Sequence, residues 1–275
     1  IRWINLKRAE GLTYFQIFSI ILISVLYGNS RKRSYCMDNF DLSSTNSMTE
    51  LVGTTVLDTI GLVIANIDEA LRDKMNLSDK YRALGLISSR TGAAGQILAV
   101  DEAVKTTNCE VVSVDLPRDT KGWGGHGNFI IVGAETVADA RDCITIALEK
   151  IRLHAGEVYI SEAGHLEFAY SARAGFALNK AFDAPVDRAF GFICGSPAAI
   201  GLVIADTAVK SADVKVIKYM TPSIGTSHSN EVIITVTGNA AAVKEAVITA
   251  RNKGIKLLES MGSKAVSPTG IPYIK

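Results

Sequence analysis

The chain reads as an α+β protein made of two copies of one unit, each a sheet with helices packed against it. Three observations carry that reading. Motifs recur in order roughly a hundred residues apart. Ala83-Leu84-Gly85-Leu86-Ile87 returns as Ala189-Phe190-Gly191-Phe192-Ile193, and Asp101-Glu102-Ala103-Val104-Lys105 as Asp206-Thr207-Ala208-Val209-Lys210. Val111-Val112 returns as Val216-Ile217, and Ile130-Ile131-Val132 as Ile233-Ile234-Thr235. Short apolar runs alternate with segments of helical period throughout both copies. Finally, 48% of the 275 residues are hydrophobic and 21% charged, so the chain can build real cores. At 7% aromatic content, alanine and aliphatic side chains must fill them.

In the first copy, the spacing of Ile60, Val63, Ile64, Ile67, Leu71 and Met75 predicts a helix over 59–75. A strand follows at 84–88, then a turn through Gly92 and Gly95 into a helix carrying Ile97, Val100 and Val104. Residues 110–116 and 128–133 read as two further strands joined by a long glycine-rich loop. Thr136 caps a helix whose Val137, Ala140, Ile144, Ala147, Leu148 and Ile151 face inward. The second copy repeats this order, with Leu166, Phe168 and Tyr170 alternating as a strand before a helix near 172–182. The unit is βαββα with an extra flanking helix. The boundaries fall at 50–152 for the first unit, 153–262 for the second and 263–275 for a C-terminal tail, with an N-terminal extension at 1–49.

The charge balance excludes several classes. With 29 basic against 28 acidic residues, the net charge is +1, and the basic face of a nucleic-acid binder is missing. Cys36, Cys109, Cys143 and Cys194 form no CxxC pair, so neither a disulfide framework nor a zinc ribbon is written here, which suits a reducing cytoplasm. The N-terminal segment is different in kind, with no charged residue between Glu10 and Arg31. A twenty-residue helix spans about 30 Å, the thickness of a bilayer core. Basic residues flank it on both sides and no small-residue cleavage site follows, so neither an orientation nor a signal peptide is defined. A membrane anchor, a cargo-docking tail and upstream sequence foreign to the natural protein are the three readings. Met37 as an internal start favours the third, and membrane association is not expected.

The second copy then becomes specific. Ala189-Phe190-Gly191-Phe192-Ile193, Ala205-Asp206-Thr207-Ala208-Val209-Lys210-Ser211-Ala212, Val214-Lys215-Val216-Ile217-Lys218-Tyr219 and Ala240-Ala241-Ala242-Val243-Lys244-Glu245-Ala246 resemble a bacterial microcompartment (BMC) shell domain. Gly61-Leu62-Val63-Ile64-Ala65-Asn66, Ser89-Arg90-Thr91-Gly92-Ala93, Arg118-Asp119-Thr120-Lys121-Gly122 and Asn230-Glu231-Val232-Ile233-Ile234 extend the match. Over residues 50–274 the chain resembles the tandem-domain shell proteins of propanediol- and ethanol-utilisation compartments. Residues 1–36 depart from that family, whose amphipathic, cargo-tethering leader is not recognisable in them. The resemblance implies two circularly permuted BMC domains of ferredoxin-like type and a homotrimer that imitates a hexamer. It further implies tiling with other shell proteins around encapsulated enzymes, a cytoplasmic compartment wall as location, no cofactor and no catalysis.

In BMC domains the loop between the middle strands lines a pore. The resemblance carries that role onto Lys121, Gly122, Trp123, Gly124, Gly125, His126 and Gly127, and onto Ser223, Ile224, Gly225, Thr226, Ser227 and His228. Glycines permit close backbone approach, and amides, hydroxyls and imidazoles can replace water around a small diol or alcohol. The plain alternative is a pair of ordinary hairpin loops, with Trp123 either gating an opening or packing beneath its own loop. His126 and His228 would gather six imidazoles about a threefold axis. No cysteine or carboxylate accompanies them in those loops, so no metal is assigned.

The resemblance places Lys105 and Lys210 at the tile edge. Elementary physics reads each as a cation at a helix C-terminus, worth a few tenths of a kcal/mol. Alternation puts His165 and Glu167 on one strand face and Glu162 elsewhere, without a nucleophile, so no catalytic set is read there. Cys194 follows a strand as Ser88 does and receives no redox role. Neither glycine pair Gly85/Gly95 nor Gly191/Gly201 forms a phosphate-loop motif. The expected function is therefore a non-enzymatic shell tile that passes small polar metabolites. The competing class is a trimeric regulatory protein that binds a small molecule, which would form discrete trimers instead of sheets.

Overall fold

The computed structural model of the chain describes residues 49–117, 126–223 and 230–275, and within them the apolar runs pair into two five-stranded sheets. The first contains β1 (Thr49–Thr55), β2 (Thr59–Ile64), β3 (Ala83–Ser89), β4 (Glu110–Asp115) and β5 (Asn128–Ala134), in the order β1-β2-β3-β5-β4. The second contains β6 (Val158–Ser161), β7 (Gly164–Ser171), β8 (Ala189–Ser196), β9 (Val214–Met220) and β10 (Val232–Gly238), in the matching order β6-β7-β8-β10-β9. All these pairings are antiparallel. The duplication reaches single residues. In β4 the register skips Val112, and in β9 it skips the equivalent Ile217, so both outer strands bulge at the same place. A bulge twists an edge away from further pairing.

Six α-helices and a short 3-10 turn (Ala155–Glu157) complete the described elements: α1 (Glu69–Lys74), α2 (Ala94–Val104), α3 (Val137–His154), α4 (Phe176–Phe182), α5 (Ala198–Ser211) and α6 (Ala240–Glu259). The mixed α+β class and the duplication are as the motifs predict, but each half has five strands where βαββα has three. The helix expected over 59–75 is instead strand β2 followed by the short α1. Thr59, Gly61 and Val63 are buried and alternate with more exposed neighbours, the period of a strand rather than a helix. Gly61 lies where α3 crosses the sheet; a Cβ there would sit 2.7 Å from Cγ2 of Ile144. The chain turns helical only at Asp68, whose Oδ1 accepts from the amides of Ala70 and Leu71 at 3.0 and 3.3 Å. Thr136 caps α3 as expected, its Oγ1 accepting from Asp139 N at 3.1 Å.

The cores are aliphatic and alanine-rich, α2 and α3 packing on one sheet and α5 and α6 on the other. Phe182 is the aromatic centre, its ring 5.6 Å from Phe190 and 5.3 Å from Phe192. The two halves meet through α2, which packs against β7 and α4 of the second half as well as on its own sheet. Ile97 and Leu98 of α2 are 0% exposed, whereas their counterparts on α5, Leu202 and Val203, are 51% and 44% exposed. Among the described residues no helix is long and apolar enough to cross a membrane. The apolar segment 14–27 lies outside the described residues.

Candidate functional site at the seam between the halves

Where α2 meets the second half, charged side chains bond across the joint in both directions. Asp101, buried on α2, accepts from the backbone amides of Gly175, Ala177 and Leu178 at the start of α4, at 2.9, 3.0 and 3.2 Å. One turn on, Lys105 places Nζ 2.7 Å from Asp101 and donates to the carbonyl of Arg173 at 2.6 Å. In the other direction Glu167, on β7, accepts through Oε1 from Ala93 N and Ala94 N at 3.1 and 2.8 Å, satisfying the orphan amides of α2. Each half thus supplies a carboxylate to a helix N-terminus of the other, where the helix dipole favours negative charge.

Beside Glu167 lies a fully buried set of ionisable groups. Glu231, immediately before β10, has Oε1 2.9 Å from Nδ1 of His126 and Oε2 3.1 Å from Nε2 of His165. The thiol of Cys194, on β8, lies 3.6 Å from the same Oε2. His126 Nε2 is 3.9 Å from Oε2 of Glu167. Burial raises the Glu231 carboxyl, but the hydrogen bonds and charges of His126 and His165 outweigh it and hold the group well below the usual carboxylate range. Burial lowers His126, and the hydrogen bond to Glu231 with both nearby carboxylate charges reverses that, leaving the imidazole raised. The Cys194 thiol is pushed well up, first by burial and then by Glu231 and Glu167. A thiol held protonated in this way is no nucleophile, although the set can hold a proton or a cation.

His126 is the correction among the expected pore residues. Its ring is not on an open loop surface but buried between two carboxylates, because those charges, removed from water, need a cationic or donor partner. The objection that no cysteine or carboxylate accompanies the loop histidines also falls for His126, since folding brings Glu231 and Glu167 against it and Cys194 onto the same Glu231. Gly127 is in close contact as well: its N–H donates to the carbonyl of Pro117 at 2.9 Å, and a Cβ would lie 2.4 Å from the Ser89 carbonyl oxygen. Ser223 is exposed, its amide 3.3 Å from Oγ1 of Thr221. Lys121, Gly122, Trp123, Gly124 and Gly125, with Ile224, Gly225, Thr226, Ser227 and His228, lie outside the described residues.

The two lysines differ: Lys105 is engaged across the seam, while Lys210 is exposed and 2.7 Å from Asp206. As alternation predicts, His165 and Glu167 share a face of β7 and Glu162 is exposed elsewhere. Cys194 lies within β8 rather than after it. Sequence reasoning missed Glu231 and the meeting of His126 with Glu167. The available signal was Glu167 itself, an acid between Leu166 and Phe168 at the position where the first half has Ile60.

Two units of one strand order, joined head to tail through a sealed polar seam, make a tandem-domain architecture. The second unit matches the BMC domain over residues 189–269. The chain is similar to the bacterial microcompartment shell protein PduB of Citrobacter freundii, 53% identical over 218 residues that cover 79% of this chain and 81% of that one. Its fold is similar to the crystal structure of EtuB from Clostridium kluyveri, with TM-score 0.79 and 47% identity over 82% of this chain and 98% of the other. It is likewise similar to the crystal structure of a trimeric bacterial microcompartment shell protein PduB, with TM-score 0.78 and 45% identity over 82% and 99%. The chain belongs to the bacterial microcompartment shell protein family, and its role is structural, not enzymatic.

Proposed function

We propose that three copies of the chain close a ring of six BMC units, 50–152 and 153–262 in each, as a pseudohexameric tile. Such tiles join other shell proteins around encapsulated enzymes in a cytoplasmic compartment and leave a path for small polar metabolites such as diols and alcohols. The observation that carries this reading is the unequal exposure of equivalent helices. The joint inside the chain is head to tail, with α2 of the first half seated on the second. Its counterpart α5 presents Leu202 and Val203 without a cover in the single chain, where Ile97 and Leu98 are sealed. A head-to-tail contact repeated by a closing rotation gives a ring. The trimeric state of a 45% identical relative supports that closure.

Assembly is the direct test. A Leu202→Glu/Val203→Glu variant would bury unpaired charge at the joint, and should weaken trimer association more than about tenfold by sedimentation. An unchanged trimer would remove this joint from the reading. The edge role of the lysines is tested on Lys210, because Lys105 also serves the seam. Lys210→Glu should leave trimers intact and abolish extended sheets in electron micrographs. Ordered sheets, or loss of the trimer itself, would overturn the edge assignment.

The path for metabolites is assigned to residues 121–125 and 223–228 by family resemblance, supported by their polar and glycine-rich composition. Groups that replace water around hydroxyls favour diols over carbonyl compounds. Shells reconstituted with this tile should therefore pass a 1,2-diol several-fold faster than the corresponding aldehyde, measured as solute efflux. Equal rates would count against the path.

A further inference from the structure

The buried set at the seam has the donors and spacing of a metal site, an assignment independent of the shell reading. Nε2 of His165, Sγ of Cys194 and a carboxylate oxygen of Glu231 all lie within 4.8 Å of one another. Their separations are 3.1 Å from nitrogen to oxygen and 3.6 Å from sulfur to oxygen. Tetrahedral zinc, with bonds of about 2.0–2.1 Å to nitrogen, 2.0–2.2 Å to oxygen and 2.3 Å to sulfur, sets those edges at about 3.3 and 3.5 Å. A cation between them would displace protons and leave these two edges nearly as they are.

Two surrounding features suit a cation. His126 Nδ1 bonds the other oxygen of Glu231, as an outer-shell histidine that orients a ligating carboxylate would. Its buried Nε2 faces Glu167 at 3.9 Å, so the second carboxylate beside the site is met by a neighbour other than the ion. Charge also balances, because a thiolate and the Glu231 carboxylate neutralise a divalent ion while His165 ligates neutral. Glu167 remains compensated by the α2 amides.

We propose that His165, Cys194 and Glu231 form a binding site for one divalent transition-metal ion of the zinc class per chain, with a fourth position for water. Sulfur, imidazole and carboxylate together select zinc or cobalt over magnesium or calcium. Binding releases the Cys194 proton to solvent, since a coordinated thiol is deprotonated even where burial otherwise keeps it protonated. The ion ties β7 and β8 to the residue that enters β10.

The full-length chain, stripped with chelator, should bind one Co²⁺ per chain in equilibrium dialysis. The complex should show tetrahedral ligand-field bands with thiolate-to-cobalt charge transfer, both lost on adding Zn²⁺. Cys194→Ser should remove the charge-transfer band and weaken binding by more than about a hundredfold, beyond the loss usual for outer-shell changes. Cys109→Ser and Cys143→Ser should leave the band intact. Should Cys194→Ser fail to fold, X-ray absorption on the zinc-loaded natural sequence decides, with one sulfur expected at about 2.3 Å. No stoichiometric cobalt, a charge-transfer band that survives Cys194→Ser, or a sulfur-free shell would each overturn the site.

Discussion

Replacing Asp101 with alanine should destabilise the folded chain by about 3–5 kcal/mol, the loss typical of breaking a buried ion pair by removing one partner. The carboxylate is sealed from water and serves four donors at once: Lys105 and the amides of Gly175, Ala177 and Leu178. Alanine leaves those amides orphaned at the start of α4 and takes from the solvent-accessible Lys105 its carboxylate partner. For a chain of this size the melting temperature should fall by roughly 10 °C. It must be read at fixed protein concentration, because assembly adds to apparent stability. Asp101→Asn keeps an acceptor and should lose about half as much. Gly175→Ala should act in the same direction, since its Cβ would stand 2.7 Å from Cε of Lys105 and 2.8 Å from Oδ1 of Asp101. A loss below about 1 kcal/mol for Asp101→Ala would mean the halves are held by apolar packing alone.

The elements most legible in the sequence are those whose apolar runs face a core within their own half. Residues 83–87 and 189–193 are read as equivalent strands because both are buried centre strands, continuously apolar. The hairpin of β1 and β2 was hidden for a definite reason. Ile60, Val63, Ile64 and Ile67 fall by coincidence on a helical stripe, and the glycine that lets α3 cross the sheet reads as neutral in either period. The seam was illegible because its bonds join residues far apart in sequence, such as Glu167 with Ala93 and His126 with Glu231. Single-strand alternation can place Glu167 on a face but cannot say that the face meets another half.

Fusing the two units explains why the seam could become polar at all. In a ring of identical subunits each joint carries the same residues, so a buried charge at one is repeated at all. Here the joint inside the chain has Glu167 and Cys194 where the first half has Ile60 and Ser88. The divergence confines the costly burial of carboxylates to a place where His126, His165 and the amides of α2 compensate it.

The second large loss is expected at Glu157, which holds the C-terminal tail. This carboxylate is buried below the second sheet and receives Nη1 of Arg251 at 2.9 and 3.0 Å and the amide of Ile274 at 2.8 Å. The same Nη1 donates to the carbonyl of Ile274 at 2.8 Å, so one ion pair clasps the tail. The tail in turn covers the edge of β6, Ile160 and Val266 exchanging backbone bonds at 2.9 and 2.8 Å. Tyr273 receives the amide of Tyr170 at 2.9 Å. Glu157→Ala strands a largely buried guanidinium and should lose about 3–5 kcal/mol, with early proteolysis of residues 263–275 as its local signature. A Glu157→Gln/Arg251→Met double variant removes both charges, keeps an acceptor for Ile274 and fills the space with an apolar chain. It should recover more than half of that loss in thermal unfolding, because the cost lies in the charge left behind rather than in the pair itself. If the double variant were as unstable as Glu157→Ala, the clasp would owe its strength to the geometry of the bonds and not to charge compensation.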